Sequence, residues 1–252
     1  MSLEGTNVVV TGGSRGLGLG LVEALVTEGA RVTVVARGRD DLNAVRARLG
    51  VATIPADVTD ETAAHRILEE VRPDILVLNA GATPPMARLD RITWADFTAT
   101  WDHDVKAGLH WMQGALNLPL RPGSRVVVVS SGAAVTGSQM SGGYGGAKRM
   151  LWLMAKYANG VAAERDLGLR FQVVLPRQMI LGTGVGDRAA EAYAGALGLA
   201  PEGFVARFGA PMPPQEFGAN VVAVLDDPAH DGGFAFGLSG DHGVQRMEDL
   251  AG

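Results

Sequence analysis

Tyr144 and Lys148 stand four residues apart in the run Tyr144-Gly145-Gly146-Ala147-Lys148, a spacing that puts a phenol and an ammonium on one face of a helix. A tyrosine hydroxyl ordinarily ionises near pH 10, but a neighbouring cation favours the phenolate and brings proton exchange towards neutrality. Such a pair can pass a proton to or from an alcohol or carbonyl oxygen. On a solvent-facing helix the same pair is an ordinary surface feature, so its surroundings decide between the readings. Upstream, Ser130 and Ser131 close an apolar run that begins at Arg125. A serine hydroxyl at such a strand end can donate a hydrogen bond to a substrate carbonyl oxygen, or it can cap a turn.

A second constellation is built of glycine. Thr11-Gly12-Gly13-Ser14-Arg15-Gly16-Leu17-Gly18 follows the first β-branched run and opens the first helical stretch. There, backbone amides and the helix dipole favour a phosphate group and a side chain would block its approach. Gly12, Ser14, Arg15, Gly16, Leu17 and Gly18 are the candidate contacts. The spacing Gly-x-x-x-Gly-x-Gly differs from the tighter Gly-x-Gly-x-x-Gly fingerprint, and a turn of this kind can also serve only to pack a helix close to a strand.

An NAD site places an acidic residue at the end of the second strand. Here that place holds Ala36, followed by Arg37. With Arg15, Arg37 supplies two guanidinium groups suited to a 2′-phosphate, so NADP(H) is favoured over NAD(H). The alternative is that Arg37 and Arg39 form a solvated loop before the Asp40 cap. Asp57-Val58 and Asn79-Ala80-Gly81 sit just past the third and fourth strands, at the carboxyl edge where ligands bind in doubly wound sheets. Asp57 can accept from an adenine amino group, and Gly81 lets backbone approach a ribose; both are also common turn formers.

These residues need a scaffold, and the periodicity supplies one. Strands are predicted over Asn7 to Val10, Arg31 to Val35, Ala52 to Pro55, Ile75 to Leu78, Arg125 to Ser130 and Phe171 to Leu175, with a weaker seventh over Phe234 to Gly237. Helices are predicted near Leu17 to Glu28, Asp40 to Leu49, Glu61 to Val71, Trp94 to Leu116 and Gly143 to Leu167. Alternation of this kind gives a single doubly wound α/β domain spanning residues 1 to 252. Gly29 and Gly168 suit the left-handed position that closes a helix. From about Gly182 to Pro214 the chain is rich in Gly, Ala, Pro and Met with a patchy period, which fits a substrate lid or a loosely packed surface helix.

Composition narrows the function classes. Apolar residues are 47% and charged residues 19%, enough for a packed core. A net charge of −5 without a basic run argues against a nucleic-acid partner. There is no cysteine, and the five histidines lack ligand spacing, so no metal is expected. No basic and apolar leader precedes the first strand, and no apolar run reaches the roughly 20 residues that cross a bilayer. A cytoplasmic protein without a membrane partner is the expectation.

Taken together, the turn Thr11 to Gly18, the Asn79-Ala80-Gly81 triplet and the set Ser131, Tyr144 and Lys148 resemble the motifs of the short-chain dehydrogenase/reductase family, over nearly the whole chain. The thirteen-residue step from Ser131 to Tyr144 matches the family's separation. The resemblance implies a Rossmann-like domain with a seven-stranded parallel sheet and hydride transfer at a carbon bearing an alcohol or ketone. It implies that Tyr144 is the acid or base, that Ser131 orients the carbonyl, and that Lys148 binds the nicotinamide ribose and lowers the tyrosine pKa.

Two places depart from the family pattern. Where it carries an Asn whose backbone carbonyl holds a relay water, this chain has Asp104, which reads either as that member of the relay or as an ordinary charged helix residue. Where it carries Pro-Gly and a nearby Thr at the nicotinamide, this chain reads Pro176-Arg177-Gln178-Met179, with Thr183 seven residues past the proline. Arg177 can reach an acidic substrate or a cofactor phosphate, or point to solvent. Arg207-Phe208-Gly209-Ala210-Pro211 looks like a family segment before the last helix. Trp101, Trp111 and Trp152 fall in helices that form the family's dimer faces, so a homodimer or homotetramer is expected, although core packing is the commoner use of Trp. The leading reading is an NADP(H)-dependent oxidoreductase acting on a small carbonyl or alcohol substrate. A catalytically weak cofactor sensor of the same fold is the alternative.

Overall fold

The structure is a computed structural model and describes residues 3–118, 120–208 and 212–247. Residues 209–211 of the Arg207 to Pro211 segment lie outside these. In chain order the elements are β1 (Asn7–Thr11), α1 (Gly16–Thr27), β2 (Arg31–Ala36), α2 (Arg39–Leu49), β3 (Ala52–Pro55), α3 (Glu61–Val71), β4 (Ile75–Leu78), α4 (Trp94–Thr100), α5 (Lys106–Asn117), β5 (Arg125–Val129), α6 (Ala133–Thr136), α7 (Tyr144–Glu164), β6 (Arg170–Pro176), α8 (Gly184–Leu197), α9 (Pro201–Val205), α10 (Pro214–Asp226), β7 (Ala235–Ser239) and β8 (Gly243–Met247). A π-helical turn, Trp101–Val105, joins α4 to α5.

The strands form one sheet in the order β3-β2-β1-β4-β5-β6-β7-β8. Pairings from β3 through β7 are parallel, and β7 pairs with β8 antiparallel. The order reverses between β1 and β4, so the carboxyl ends of β1, β4 and β5 open a crevice at the switch point where such sheets bind ligands. The eighth strand corrects the expected count of seven. Only Gly240, Asp241 and His242 separate β7 from β8, too few for a crossover, so the next strand had to pair antiparallel. Its short polar run, Gly-Val-Gln-Arg-Met, gave no buried-strand pattern.

Alternation along the strands sorts the core into two layers. Val9, Val35, Leu76, Val126 and Val128 face one side, against Ile67 and Leu68 of α3, Trp111 of α5 and Trp152 of α7. Val8, Val10, Val34, Val77 and Val127 face the other, against Leu21 and Leu25 of α1 and Phe217 and Val221 of α10. Two of the three tryptophans considered for an interface are spent in this core. Trp111 is 1% exposed and donates its indole N–H to the Val58 carbonyl at 3.0 Å. Trp152 is fully buried, edge-on to Phe234 and under the Arg149 guanidinium. Neither can face a partner.

At the amino end of β5 the buried Arg125 forks onto Gln172 Oε1 at 2.9 and 2.6 Å and reaches the carbonyls of Leu225 and Val224 at 2.7 and 2.9 Å. It thereby closes the C-terminus of α10, where a cation suits the helix dipole.

Local signals explain most boundaries. Asp60 accepts from the amides of Thr62 and Ala63 and starts α3. Gly29 at φ 78° closes α1, with Ala30 N–H on the Leu25 carbonyl and Gly29 N–H on that of Val26. The parallel expectation for Gly168 is corrected in part. Its φ is 64°, but the turn closing α7 is made two residues earlier by Asp166 at φ 49°, with Leu167 N–H on the Ala162 carbonyl. The stretch read as one helix from Trp94 to Leu116 is interrupted by the π turn, because that turn carries the residues that bond to the site. Most of the 182 to 214 segment is regular: Thr183 caps α8 through Gly186 N–H, Gly198 at φ 67° ends it, and Pro201 opens α9.

Candidate active site

The crevice is a cavity of about 760 Å³, within the range of small-molecule sites. One end is the glycine turn. Gly12 has φ 67°, and a Cβ there would lie 2.7 Å from the Ala80 Cα. Gly16 has φ 55°, and a Cβ on Gly18 would overlap the Gly12 carbonyl oxygen. The turn is tied to the end of β4 by the Asn79 amide, which donates to the Thr11 and Gly12 carbonyls at 3.1 Å each. Asn79 thus holds the turn, while Ala80 and Gly81 supply bare backbone. No side chain caps α1 and no acidic residue sits in its first turn, in contrast to α3. These first-turn amides are suited to an anion, so a dinucleotide phosphate fits the residues present.

At the end of β2, Ala36 and the exposed Arg37 line the cavity together with Arg15. Asp41, in the first turn of α2, also lines this rim, a carboxylate that the sequence reading passed over. Val58 lines the cavity, but Asp57 does not. The Asp57 carboxylate accepts from Thr59 N–H at 2.9 Å and from its hydroxyl at 2.8 Å. The Thr59 amide, with help from Arg37, holds its pKa below the usual carboxylate value.

At the other end, Ser131, Tyr144 and Lys148 line the same cavity. The two serines divide their work: Ser130 is buried and donates to the Lys148 carbonyl at 2.9 Å, whereas Ser131 is partly exposed and accepts from Ala133 N–H at 3.2 Å. Tyr144 opens α7 and is 9% exposed, with the Lys148 ammonium 5.7 Å from its ring centre. Lys148 also donates to the Val129 carbonyl at 3.4 Å.

Behind Lys148 lies Asp104, whose Oδ2 is 3.1 Å from the ammonium and whose side chain is fully buried. Asp104 Oδ1 accepts from Ala82 N–H at 2.8 Å and stands 3.0 Å from His103 Nδ1. It is therefore no ordinary helix surface residue, and what meets Lys148 is its carboxylate. Burial alone pushes the Asp104 carboxyl up, yet Lys148, His103 and the Ala82 amide together hold it below the carboxylate range. Burial likewise pushes the Lys148 ammonium down, and the Asp104 carboxylate, with Tyr144, holds it above the lysine range.

Past β6, Pro176 lines the cavity and its carbonyl accepts from Gly132 N–H. Thr183 borders it too, with Cγ2 3.5 Å from the Cβ position of Gly16, but its hydroxyl is committed to the Ile180 carbonyl and the Gly186 amide. Arg177 also lines the cavity, with its stem crossing Gly237 and its guanidinium donating to Gln245 on β8 at 3.0 Å. Helix α8 is fastened by Tyr193, whose hydroxyl lies 2.8 Å from Ser138 Oγ and accepts from Met140 N–H at 3.2 Å.

A doubly wound sheet with a glycine-lined switch point defines the class, a nucleotide-binding α/β protein. Comparison with known proteins takes this one step further. The family model described as short chain dehydrogenase matches residues 6–180, and the chain belongs to that family. It is 30% identical over 185 residues to an oxidoreductase of Sarocladium schorii, a match spanning 69% of this chain and 72% of that protein. It is also 30% identical over 179 residues to an NADPH-dependent pterin aldehyde reductase of Arabidopsis thaliana, covering 67% and 73% of the two chains. The crystal structure of an NAD+-bound xylitol dehydrogenase shares the fold, with TM-score 0.81 and 22% identity over 93% of this chain and 97% of that one. Family membership makes the chain an oxidoreductase of the nicotinamide-dependent type. Among the described residues, no helix is long and apolar enough to cross a membrane.

Proposed function

We propose that the chain is an NADP(H)-dependent oxidoreductase interconverting an alcohol and a ketone or aldehyde on a small, mostly apolar substrate. The observation that carries this reading is a single cavity whose walls bring the glycine turn and Asn79-Ala80-Gly81 together with Ser131, Tyr144 and Lys148. A bound nicotinamide dinucleotide supplies or takes up the hydride in this chemistry.

The residues do the rest. First-turn amides of α1, around Gly12, Ser14, Gly16, Leu17 and Gly18, bind phosphate. Val58, Ala80 and Gly81 flank the nucleoside, and Pro176 and Thr183 border the nicotinamide end. Arg15 and Arg37 bind a 2′-phosphate as charge-assisted forks, outnumbering the one carboxylate on that rim, Asp41. In reduction Tyr144 donates its phenolic proton to the carbonyl oxygen, and in oxidation it takes the alcohol proton back. Ser131 donates a hydrogen bond to the same oxygen. The Lys148 ammonium stands 5.7 Å from the Tyr144 ring centre and lines the cavity, where it can donate to a ribose hydroxyl. Met179, Ile180, Val185 and Ala189 wall the substrate end, which supports an apolar substrate.

Fluorescence titration should show NADPH binding more tightly than NADH, with Arg37→Ala narrowing the gap. A preference for NADH in the native chain overturns the cofactor choice. A screen of ketones and alcohols should find turnover that Tyr144→Phe abolishes, and turnover surviving that change refutes the mechanism. Retention of all three proton-handling side chains in one cavity favours this enzyme over a cofactor sensor, which needs no proton donor. We also take the chain to act as a homodimer or homotetramer, because Leu109 on α5 and Tyr157 and Val161 on α7 stand 43%, 58% and 37% exposed; a monomer in sedimentation equilibrium would end that reading.

A further inference from the structure

The pair formed by Lys148 and Asp104 is buried, and it is not isolated. Asp104 shares its carboxylate between Lys148 at 3.1 Å and His103 at 3.0 Å, and His103 lines the cavity. Lys148, Asp104 and His103 thus form a continuous line from the proton-transfer group to the cavity wall. An ammonium has three donors. The Val129 carbonyl accepts from one at 3.4 Å and the Asp104 carboxylate lies against the ammonium at 3.1 Å, while Lys148 still lines the cavity. A buried charge is tolerated only beside a partner, so the Asp104 carboxylate dictates where the ammonium sits.

Two further features are shaped around this pair. A Cβ on Gly81 would come within 3.0 Å of Asp104 Oδ2 and 3.4 Å of Lys148 Nζ, so the chain is bare where the pair lies. Both His103 and Asp104 belong to the π turn, a distortion frequent at functional sites.

We propose that Asp104 is a positioning residue that clamps Lys148 beside the Tyr144 ring, and that His103, by sharing the carboxylate, makes the clamp respond to its own charge. A neutral imidazole leaves the carboxylate to the ammonium, and an imidazolium competes for it. The other ionisable groups near this line are Tyr144 on α7, Asp57 after β3, whose charge feels His103, and Arg37 after β2, which acts on Asp57. The inference rests on the reading of Tyr144 and Lys148 as the working pair. It assigns the work of Asp104 to its side chain, where the family pattern implied a backbone carbonyl.

The chain has three lysines, Lys106, Lys148 and Lys156, so 13C-lysine labelling gives a simple spectrum. Lys148 Cε is assigned from Lys148→Arg and titrated without cofactor in the native chain, Asp104→Asn and His103→Gln. In the native chain Lys148 should lose its proton at a higher pH than Lys106 and Lys156, and its resonance should show a second, smaller inflection that follows the charge of His103. Asp104→Asn should move the Lys148 midpoint below those of the other two, and His103→Gln should abolish the inflection. A midpoint unmoved by Asp104→Asn overturns the clamp, and an inflection that survives His103→Gln overturns the part given to His103.

If Asp104→Asn fails to fold by circular dichroism, Gly81→Ala presses a methyl on the pair with both charges retained. It must then lower the Lys148 midpoint, or the clamp is refuted. In activity, Asp104→Asn should shift the alkaline limb of the kcat profile to lower pH while changing KM less. The titration needs no turnover, so an inactive chain with the predicted Lys148 behaviour refutes the proposed function alone.

Discussion

Gly18→Ala should destabilise the fold more than it weakens cofactor binding, and Gly16→Ala should do the reverse. A Cβ on Gly18 would overlap the Gly12 carbonyl oxygen and stand 2.5 Å from the Asn79 side-chain nitrogen. Making room breaks the two Asn79 hydrogen bonds that fasten the turn to β4, each contributing about 1 kcal/mol. Overpacking adds about 1–3 kcal/mol, and the better helix propensity of alanine returns about 1 kcal/mol. The net loss is roughly 2–4 kcal/mol by these magnitudes.

At Gly16 the nearest atom to a Cβ is Thr183 Cγ2 at 3.5 Å, an ordinary contact. The cost there is only the left-handed backbone at φ 55°, about 1–2 kcal/mol, but the new methyl lies at the helix start where a phosphate is expected. Urea unfolding of both variants, paired with NADPH titration, measures the two effects separately. If Gly16→Ala unfolds as readily as Gly18→Ala, or if NADPH affinity falls less in Gly16→Ala than in Gly18→Ala, this assignment of the two glycines is wrong.

Two further outcomes are expected. Tyr193→Phe removes the hydroxyl that holds α8 to Ser138 and Met140 at a stability cost of about 1 kcal/mol, and should raise KM several-fold with faster amide exchange across α8; unchanged exchange would show that the hydroxyl does not fasten α8. Arg125→Met leaves the last carbonyls of α10 and the Gln172 amide oxygen without their buried donor, and should cost about 3 kcal/mol in denaturant unfolding, with cofactor affinity little changed; a loss under about 1 kcal/mol would mean that water takes over the role.

How far the sequence carried the reading depended on where the information lay. α3 was legible from end to end because Asp60 caps it and a polar turn follows. The parallel strands were legible within a residue or two because burial on both faces makes them continuous apolar runs. The π turn was not, since Trp94 to Leu116 contains no proline and its apolar period runs on. Its distortion accompanies contacts to Ala82 and Lys148 that are remote in the chain. His103 was missed for the same reason, although it adjoins a residue already singled out.

The 182 to 214 segment was a different case. Thr183, Gly198 and Pro201 are ordinary start and stop signals for α8 and α9, and they were masked by the small-residue composition around them. Asp57 was read for what its carboxylate could reach and is held instead by Thr59, whereas Arg177 lines the cavity while its guanidinium bonds Gln245.

Consider finally the order in which the walls of the cavity leave the ribosome. The glycine turn, Asn79, Ser131, Tyr144 and Lys148 all precede residue 149 in the chain, and the adjacent strands β1 to β5 can pair as they emerge. The last wall is different, because Met247 of β8 lines the cavity and Gln245 holds Arg177 across β7. Domains assemble during synthesis from the amino end, so the wall that carries Met247 joins the cavity after the walls that carry the glycine turn and Tyr144.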